Sequence, residues 1–347
     1  MRLIPGYEVY WRDAGVTQIG VDPKCAVVLS GLSGAEQTLL GDLPRMFDIG
    51  WLRARGNELG LGRDQVAHLQ QRLADSGVLI DIAPAAELSA DERYWYMAAR
   101  AGVRRQRDRS GGIVEVRAGG RLGVHIGTVL AEAGVGTVLV TDVVRGLGPG
   151  AATRPQQGQV LRPHREAPGI LRAANPHVRT NMAPGQRPQL VVTVDQHVID
   201  PVPVRHLLHD RVPQLSVLVT ELTARIGPFT RPGEGACSTC LELHRSEQDA
   251  RWAAVATQAA LRRAVPVETT LARWTAVTAA QQVLAVLDGR EVACESATVE
   301  STAWDAVPRR EHWQPHPRCE CRKIRPAASN PDEPADGPDS SGSTAAA

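Results

Sequence analysis

Ile113-Val114-Glu115-Val116-Arg117-Ala118-Gly119-Gly120-Arg121-Leu122-Gly123-Val124, with Gly136-Thr137-Val138-Leu139-Val140-Thr141-Asp142 a helix-length later, decides the fold. The β-branched run 113–116 predicts a strand, the glycines of 119–123 a tight turn, 124–133 a helix and 136–142 the next strand. That is a βαβ unit, and its alternation continues. Residues 189–195 read as a buried strand ending in an acid, 203–210 as a helix and 214–220 as another strand. Such an order predicts an α/β fold with a mostly parallel sheet covered by helices on both faces. Between the first two strands and the third, residues 146–188 are rich in Pro, Arg and Gln and offer one helix, over 162–174. Farther on, 241–248 and 269–287 read as helices and 297–303 as a strand.

Toward the N-terminus the rhythm differs. Residues 8–11 and 25–29 are strand-like. Ser33 stands three residues before Glu36, a capping-box spacing, and opens a helix carrying Leu39, Leu40 and Leu43. Helices over 49–59 and 63–76 follow; Val66, Leu69 and Leu73 mark one apolar face, Gly77 stops it, and 78–82 returns as a strand. Residues 1–82 therefore read as a small winged-helix-like α+β domain. Residues 83–110 are a linker by composition; they hold a helix-like stretch at 89–101 and the arginine run Arg104, Arg105, Arg107, Arg109, which reads as a solvated face. The α/β domain covers 111–324, and 325–347, poor in anything to bury, is expected to be disordered.

A chain of 347 residues favours more than one folded unit. Its 39 basic and 38 acidic side chains leave a formal charge of +1, which gives no long-range attraction to nucleic acid. Only Lys24 and Lys323 are lysines; every other cation of the basic set is arginine. No signal-peptide core and no stretch of about 20 apolar residues is present, so a cytoplasmic protein away from membranes is expected.

Cys237-Ser238-Thr239-Cys240 and Cys319-Glu320-Cys321 supply four thiolates in two tight pairs, the number a closed tetrahedral zinc site needs. Four thiolates leave no open position, so this Zn2+ would be structural. Buried free cysteines or a redox pair are the other reading. His316 reads as a substitute ligand, a donor beside the metal or a turn cap. Cys25 and Cys294 stand alone and read as core residues. The turn at Gly119, Gly120 and Gly123 has the context of a phosphate-binding loop, although Ala118 stands where the first glycine of G-x-G-x-x-G belongs. Asp142, about twenty residues on, fits the acid that binds a ribose; an ordinary strand-end aspartate is the other reading. Asp195 lies where open α/β sheets place their ligand crevice and suits magnesium on a triphosphate, or else caps its strand.

Taken together, the glycine loop, Leu130-Ala131-Glu132-Ala133-Gly134-Val135-Gly136 with its following strand, the strand ending in Asp195, and C-x-x-C paired with C-x-C resemble the ThiF, MoeB and ubiquitin-activating-enzyme superfamily. Gly227-Pro228-Phe229-Thr230-Arg231-Pro232-Gly233 before Cys237, and Leu241-Glu242-Leu243-His244-Arg245 after Cys240, look closer still to the ThiF-like cyclodehydratase-associated proteins of thiazole/oxazole-modified microcins, common in actinobacteria. The resemblance spans residues 2–324. It implies a Rossmann-like ThiF-type nucleotide fold with a zinc clasp, preceded by a leader-peptide-recognition-type domain.

Enzymes of that family adenylate a C-terminal carboxylate with ATP and magnesium. Gly119, Gly120, Gly123 and Asp142 then fall at nucleotide-binding positions and Asp195 at the metal-binding, catalytic one. The family's lysine has no counterpart, since neither Lys24 nor Lys323 lies between the first strand and Asp195, and the polar cluster usual after Asp142 is not recognisable in 143–154. Arg154, Arg162 or Arg165 are candidate replacements, though a guanidinium is not a point charge. Two functions are implied: an ATP-dependent adenylyltransferase of peptide modification or sulfur-carrier-type biosynthesis, or a catalytically degenerate scaffold presenting a precursor peptide to a YcaO-type cyclodehydratase. Both imply a peptide or small-protein partner, and relatives commonly form homodimers. A third reading, a winged-helix regulator, is disfavoured because Arg63 and Arg72 are set against Asp64 and Asp75, leaving helix 63–76 without a basic face.

Overall fold

The computed structural model describes residues 2–4, 6–44, 47–80, 90–103, 108–118, 120–144, 160–262 and 264–324. Gly119, Asp81, Ile82, Arg104, Arg105, Arg107, Arg154 and the stretch 325–347 lie outside these residues. The chain divides into two compact units, residues 1–109 with 287–290, and residues 110–286 with 291–347.

In the first unit, β1 (Arg2–Leu3) pairs antiparallel with β5 (Leu79–Ile80), and β2 (Val9–Asp13), β3 (Val16–Ile19) and β4 (Val27–Leu29) form an antiparallel sheet in that order. Helices α1 (Gly34–Gly41), α2 (Ile49–Glu58), α3 (Arg63–Asp75) and α4 (Ala90–Arg100) complete it. The capping box forms: Glu36 N–H donates to Ser33 Oγ at 3.2 Å, and Ser33 N–H to Glu36 Oε2 at 2.7 Å. The predicted face of α3, Val66, Leu69 and Leu73, joins Ile19, Leu39, Leu40 and Leu52 in one core. Tyr96 and Met97 of α4 pack on that core, so the stretch read as a linker carries a helix with a buried side.

Arg109 departs from the solvated face expected of it. It is 4% exposed, and its guanidinium forks onto Asp288, Nε to Oδ1 at 2.9 Å and Nη2 to Oδ2 at 2.6 Å. Composition alone could not show this, because the partner lies 179 residues away.

The second unit contains β6 (Ile113–Ala118), α5 (Arg121–Glu132), β7 (Thr137–Val144), β8 (Val160–Pro163), α6 (Ala167–Ala174), β9 (Leu190–Gln196), α7 (Pro201–His209), β10 (Gln214–Val219) and β11 (Thr223–Thr230). Then come α8 (Ser238–Gln248), α9 (Trp252–Ala259), α10 (Thr269–Leu287), β12 (Ala297–Thr302) and β13 (Arg309–His312). Its eight-stranded sheet runs β13-β12-β11-β10-β9-β6-β7-β8. The four central strands are parallel, as the alternation requires, with Val116 opposite both Val140 and Val192. The flanks are antiparallel, since β8 returns beside β7 and β10 to β12 succeed one another as a meander.

Two boundaries move. Helix α5 begins three residues earlier than its apolar pattern suggests, with Gly120 as N-cap at φ 85°, a left-handed conformation that glycine adopts without strain. The helix expected from 162 begins only at Ala167, because 160–163 pair as a strand. Helix α5 lies tightly on the sheet: a Cβ on Gly123 would sit 2.5 Å from Ala118 Cβ. Gly123→Val should therefore force α5 off β6 and cost about 1–3 kcal/mol, read as a lower urea midpoint; a wild-type midpoint would contradict this packing.

Candidate metal centre and ligand crevice

The two cysteine pairs meet. Cys237 is the N-cap of α8 and Cys240 lies in its first turn, while Cys319 caps a short 3-10 turn, Glu320–Lys323, that contains Cys321. Each pair thus sits at a helix start, where backbone N–H groups and the dipole favour thiolate. Sulfur–sulfur distances are 3.7 Å for Cys237–Cys240, 3.6 Å for Cys237–Cys319 and 3.5 Å for Cys240–Cys321. A tetrahedron with metal–sulfur bonds of about 2.3 Å has edges of about 3.8 Å, so a zinc-sized ion fits among these sulfurs with little adjustment. All four cysteines are buried, and no disulfide joins them.

The thiols share protons. Hydrogen bonds from Cys237, then Cys319 and Cys321, hold Cys240 far below the ordinary thiol range, helped by a backbone hydrogen bond from His316. Cys237 is pushed up, first by Cys240 and then by Cys319. Cys319 is drawn down to about 7, first by Cys237. Cys294, buried elsewhere, is pushed up to about 12 by desolvation and is inert, as a core cysteine should be.

His316 takes the turn-capping role: its Nδ1 accepts from Arg318 N–H at 3.1 Å, and its Nε2 lies 2.9 Å from Glu247 Oε1. That close approach is the first cause of a lowered Glu247 carboxyl.

The second feature is a crevice at the carboxyl ends of β6 and β9. The chain leaves β6 toward β7 on one side and returns at β9 on the other, the topological switch point where open α/β sheets bind ligands. A cleft of about 370 Å³ lies there. Gly120, Arg121 and Leu122 at the start of α5, Gln196 at the end of β9, and Arg273 on α10 line it. Gln196 Oε1 accepts from Val265 N–H at 2.8 Å and so tethers the apolar wall of Val265, Pro266 and Val267. Arg273 donates to His125 Nδ1 at 3.2 Å. Burial first, then Arg273 and Arg121, lower the His125 pKa, so the imidazole stays neutral beside two fixed cations.

Of the residues expected here, Gly120 lines the cleft; Gly123, Asp142 and Asp195 do not, and Gly119 is outside the described residues. Gly123 packs helix on strand. Asp142 sits within β7, opposite Arg162 of β8. Asp195 is 8% exposed and adjoins Gln196. Arg165 is exposed on a loop. Arg121, Arg273 and His125 escaped the sequence reading, for Arg273 follows His125 by 148 residues and belongs to no motif.

The fold has solved counterparts. The chain superposes on the microcin C7 biosynthetic enzyme MccB in complex with N-formylated MccA, with a TM-score of 0.55 at 12% identity, over 92% of this chain and 99% of MccB. E. coli MccB with AMPCPP and MccA gives 0.57 at 12% identity, over 92% and 98%. A heterocyclase in complex with substrate and cofactor gives 0.58 at 13% identity, over 93% of this chain and 39% of the heterocyclase. The shared property is the fold. No described family and no curated protein matches the sequence. Among the described residues no helix is long and apolar enough to cross a membrane.

Proposed function

We propose that the chain works in peptide modification as a ThiF-type protein that binds ATP with magnesium in the β6–β9 crevice and adenylates the C-terminal carboxylate of a peptide or small protein. The observation that carries this reading is the cleft itself: a helix start and two guanidiniums meet at a switch point, a set of groups suited to phosphate. Its fold-mates are a microcin biosynthetic enzyme and a heterocyclase, which makes a peptide the natural substrate class. In the reaction a carboxylate oxygen attacks the α-phosphorus, the bond to the β-phosphate breaks and pyrophosphate leaves. Arg121 and Arg273 would offset its growing charge in place of the family's lysine. Although neither lines the cleft, Asp195, next to the lining Gln196, is assigned to magnesium, and Asp142 on β7, the strand beside β6, is assigned to the ribose from its strand position. Cys237, Cys240, Cys319 and Cys321 are assigned to one structural zinc that takes no part in the chemistry.

Residues 1–82 are assigned to leader-peptide recognition by a winged-helix-like domain. Support comes from the three-stranded sheet of the first unit, where β2 is an edge and Trp11 is 70% exposed. We further assign 83–110 to the connection and 111–324 to the ThiF-like domain, with a YcaO-type partner, a homodimeric state and a cytoplasmic location.

Titration of ATP with magnesium into the protein, followed by pyrophosphate exchange, tests the first reading. Arg121→Ala and Arg273→Ala should each weaken ATP by roughly tenfold to a hundredfold, the worth of a charge-assisted hydrogen bond, and Asp195→Ala should abolish exchange. A scaffold without catalysis is the second reading. One observation favours it: no lysine lines the cleft. Absence of heat at millimolar ATP, with peptide binding intact, would select the scaffold and remove the adenylyltransferase.

A further inference from the structure

A groove beside the cysteine cluster has no part in the adenylation reading. One face of α7, through Pro201, Arg205 and Leu208, forms one side, and the start of α8, through Thr239 and Leu243, forms the other. Residues 318–324 close it, and it encloses about 800 Å³, within the usual range of ligand pockets. Its floor is apolar: Leu208 belongs to the buried cluster that holds the four cysteines, and the half-buried Leu243 and Ile324 pack against that cluster.

Arg205 and Lys323 make the rim cationic, with His206 and His209 beside them and Glu320 as the acid among the lining residues. Arg318 is engaged by Glu247 at 3.3 Å, but neither Arg205 nor Lys323 forms an ion pair with a described residue. A chain with 39 basic and 38 acidic side chains has no general excess to spread here, so the concentration is local.

We propose that this groove docks an acidic, partly apolar peptide segment of a partner protein. Carboxylates would meet Arg205, His209 and Lys323 while apolar side chains cover Leu208, Leu243 and Ile324. A small anion alone would leave that floor in water. Nucleic acid fits less well, because among the described residues the lining holds no Phe, Tyr or Trp for a base to stack on, and Glu320 would face its phosphates. The groove lies outside the ATP crevice, so this proposal stands or falls apart from adenylation.

The full chain can be titrated into a short fluorescein-labelled peptide of alternating leucine and glutamate and read by fluorescence anisotropy. Arg205→Glu combined with Lys323→Glu, both on exposed side chains, should weaken binding at least tenfold, with circular dichroism and metal content unchanged. Raising salt should weaken the wild-type complex and hardly affect the variant's. Leu243→Asp, on the floor, should weaken binding independently. Equal affinity for the same peptide with lysine in place of glutamate, or unchanged affinity in the double variant, overturns the proposal. Neutralising Asp332, Glu333, Asp336 and Asp339 of the chain's own C-terminal stretch separates an internal occupant from a partner. A tenfold gain in peptide affinity there would overturn the partner proposal, and no gain supports it. Oligonucleotide binding that matches the peptide and is lost in the same variant also overturns it.

Discussion

Cys240→Ser is expected to yield protein without bound zinc and largely insoluble, where the wild type carries about one zinc per chain. Cys240 touches two other sulfurs, Cys237 and Cys321, and receives the backbone hydrogen bond from His316, so its loss removes the best-supported thiolate. Structural zinc supplies about 10–16 kcal/mol in zinc-finger peptides, whereas a whole domain is stable by about 5–15 kcal/mol. Losing the ion therefore rivals losing the fold of this unit. Only the closure of α8 against residues 319–321 needs the metal directly, but that closure ties the chain between α8 and the last turn.

Acid should act in the same direction as the substitution. Metal binding needs thiolates, and in the metal-free cluster the neighbouring thiols push Cys237 above the ordinary range and draw Cys319 down to about 7. Protons compete increasingly as pH falls, so zinc affinity rises with pH and is lost on acidification. Metal analysis across a pH series, with circular dichroism in parallel, checks both statements. A reduced, chelator-free preparation without metal, or a Cys240→Ser protein as soluble as wild type, would remove the zinc assignment.

The parts of the fold read directly from sequence are those whose signal is local. Val114, Val116, Val138, Val140, Val191 and Val192 make strands by composition, Ser33 and Glu36 form their cap within one turn, and close cysteine spacings declare their own pairing chemistry. Strand β11 was hidden for an equally local reason. Gly227-Pro228 reads as a breaker, yet the register of β10 and β11 shifts between Leu215 and Val217, so those two residues occupy a bulge that needs no ladder N–H. Helix α9 has no buried residue and hence no periodic stripe to betray it. The cations of the crevice were illegible for the opposite reason. Arg121 falls in a glycine turn and Arg273 in a helix; only the crossing of α10 past the start of α5 brings both to one cleft. Local spacing reports elements and metal knuckles, whereas a site assembled from strand ends and distant helices requires the topology.

Asp288→Ala should destabilise the first unit by about 3–5 kcal/mol, the cost of breaking a buried ion pair by removing one partner. The Asp288 side chain is 0% and that of Arg109 2% exposed, and the two meet through a bidentate fork. Arg290 adds hydrogen bonds to Asp288 Oδ2 at 3.2 and 3.1 Å from Nε and Nη2, and stacks its guanidinium 4.7 Å from the centre of the Trp95 ring. One carboxylate thus serves two guanidiniums, and alanine would take from the buried Arg109 the carboxylate its fork holds. The loss reflects a buried charge deprived of that carboxylate more than the pair's net worth, because desolvating both partners offsets most of their attraction. Replacing both, as Arg109→Met with Asp288→Leu, should therefore recover much of the stability that Asp288→Ala removes. Urea unfolding followed by tryptophan fluorescence, to which Trp11, Trp51 and Trp95 contribute from this unit, distinguishes the cases. A loss below about 1 kcal/mol in Asp288→Ala, the range of exposed pairs, would mean that the fork does not hold residues 287–290 to the first unit.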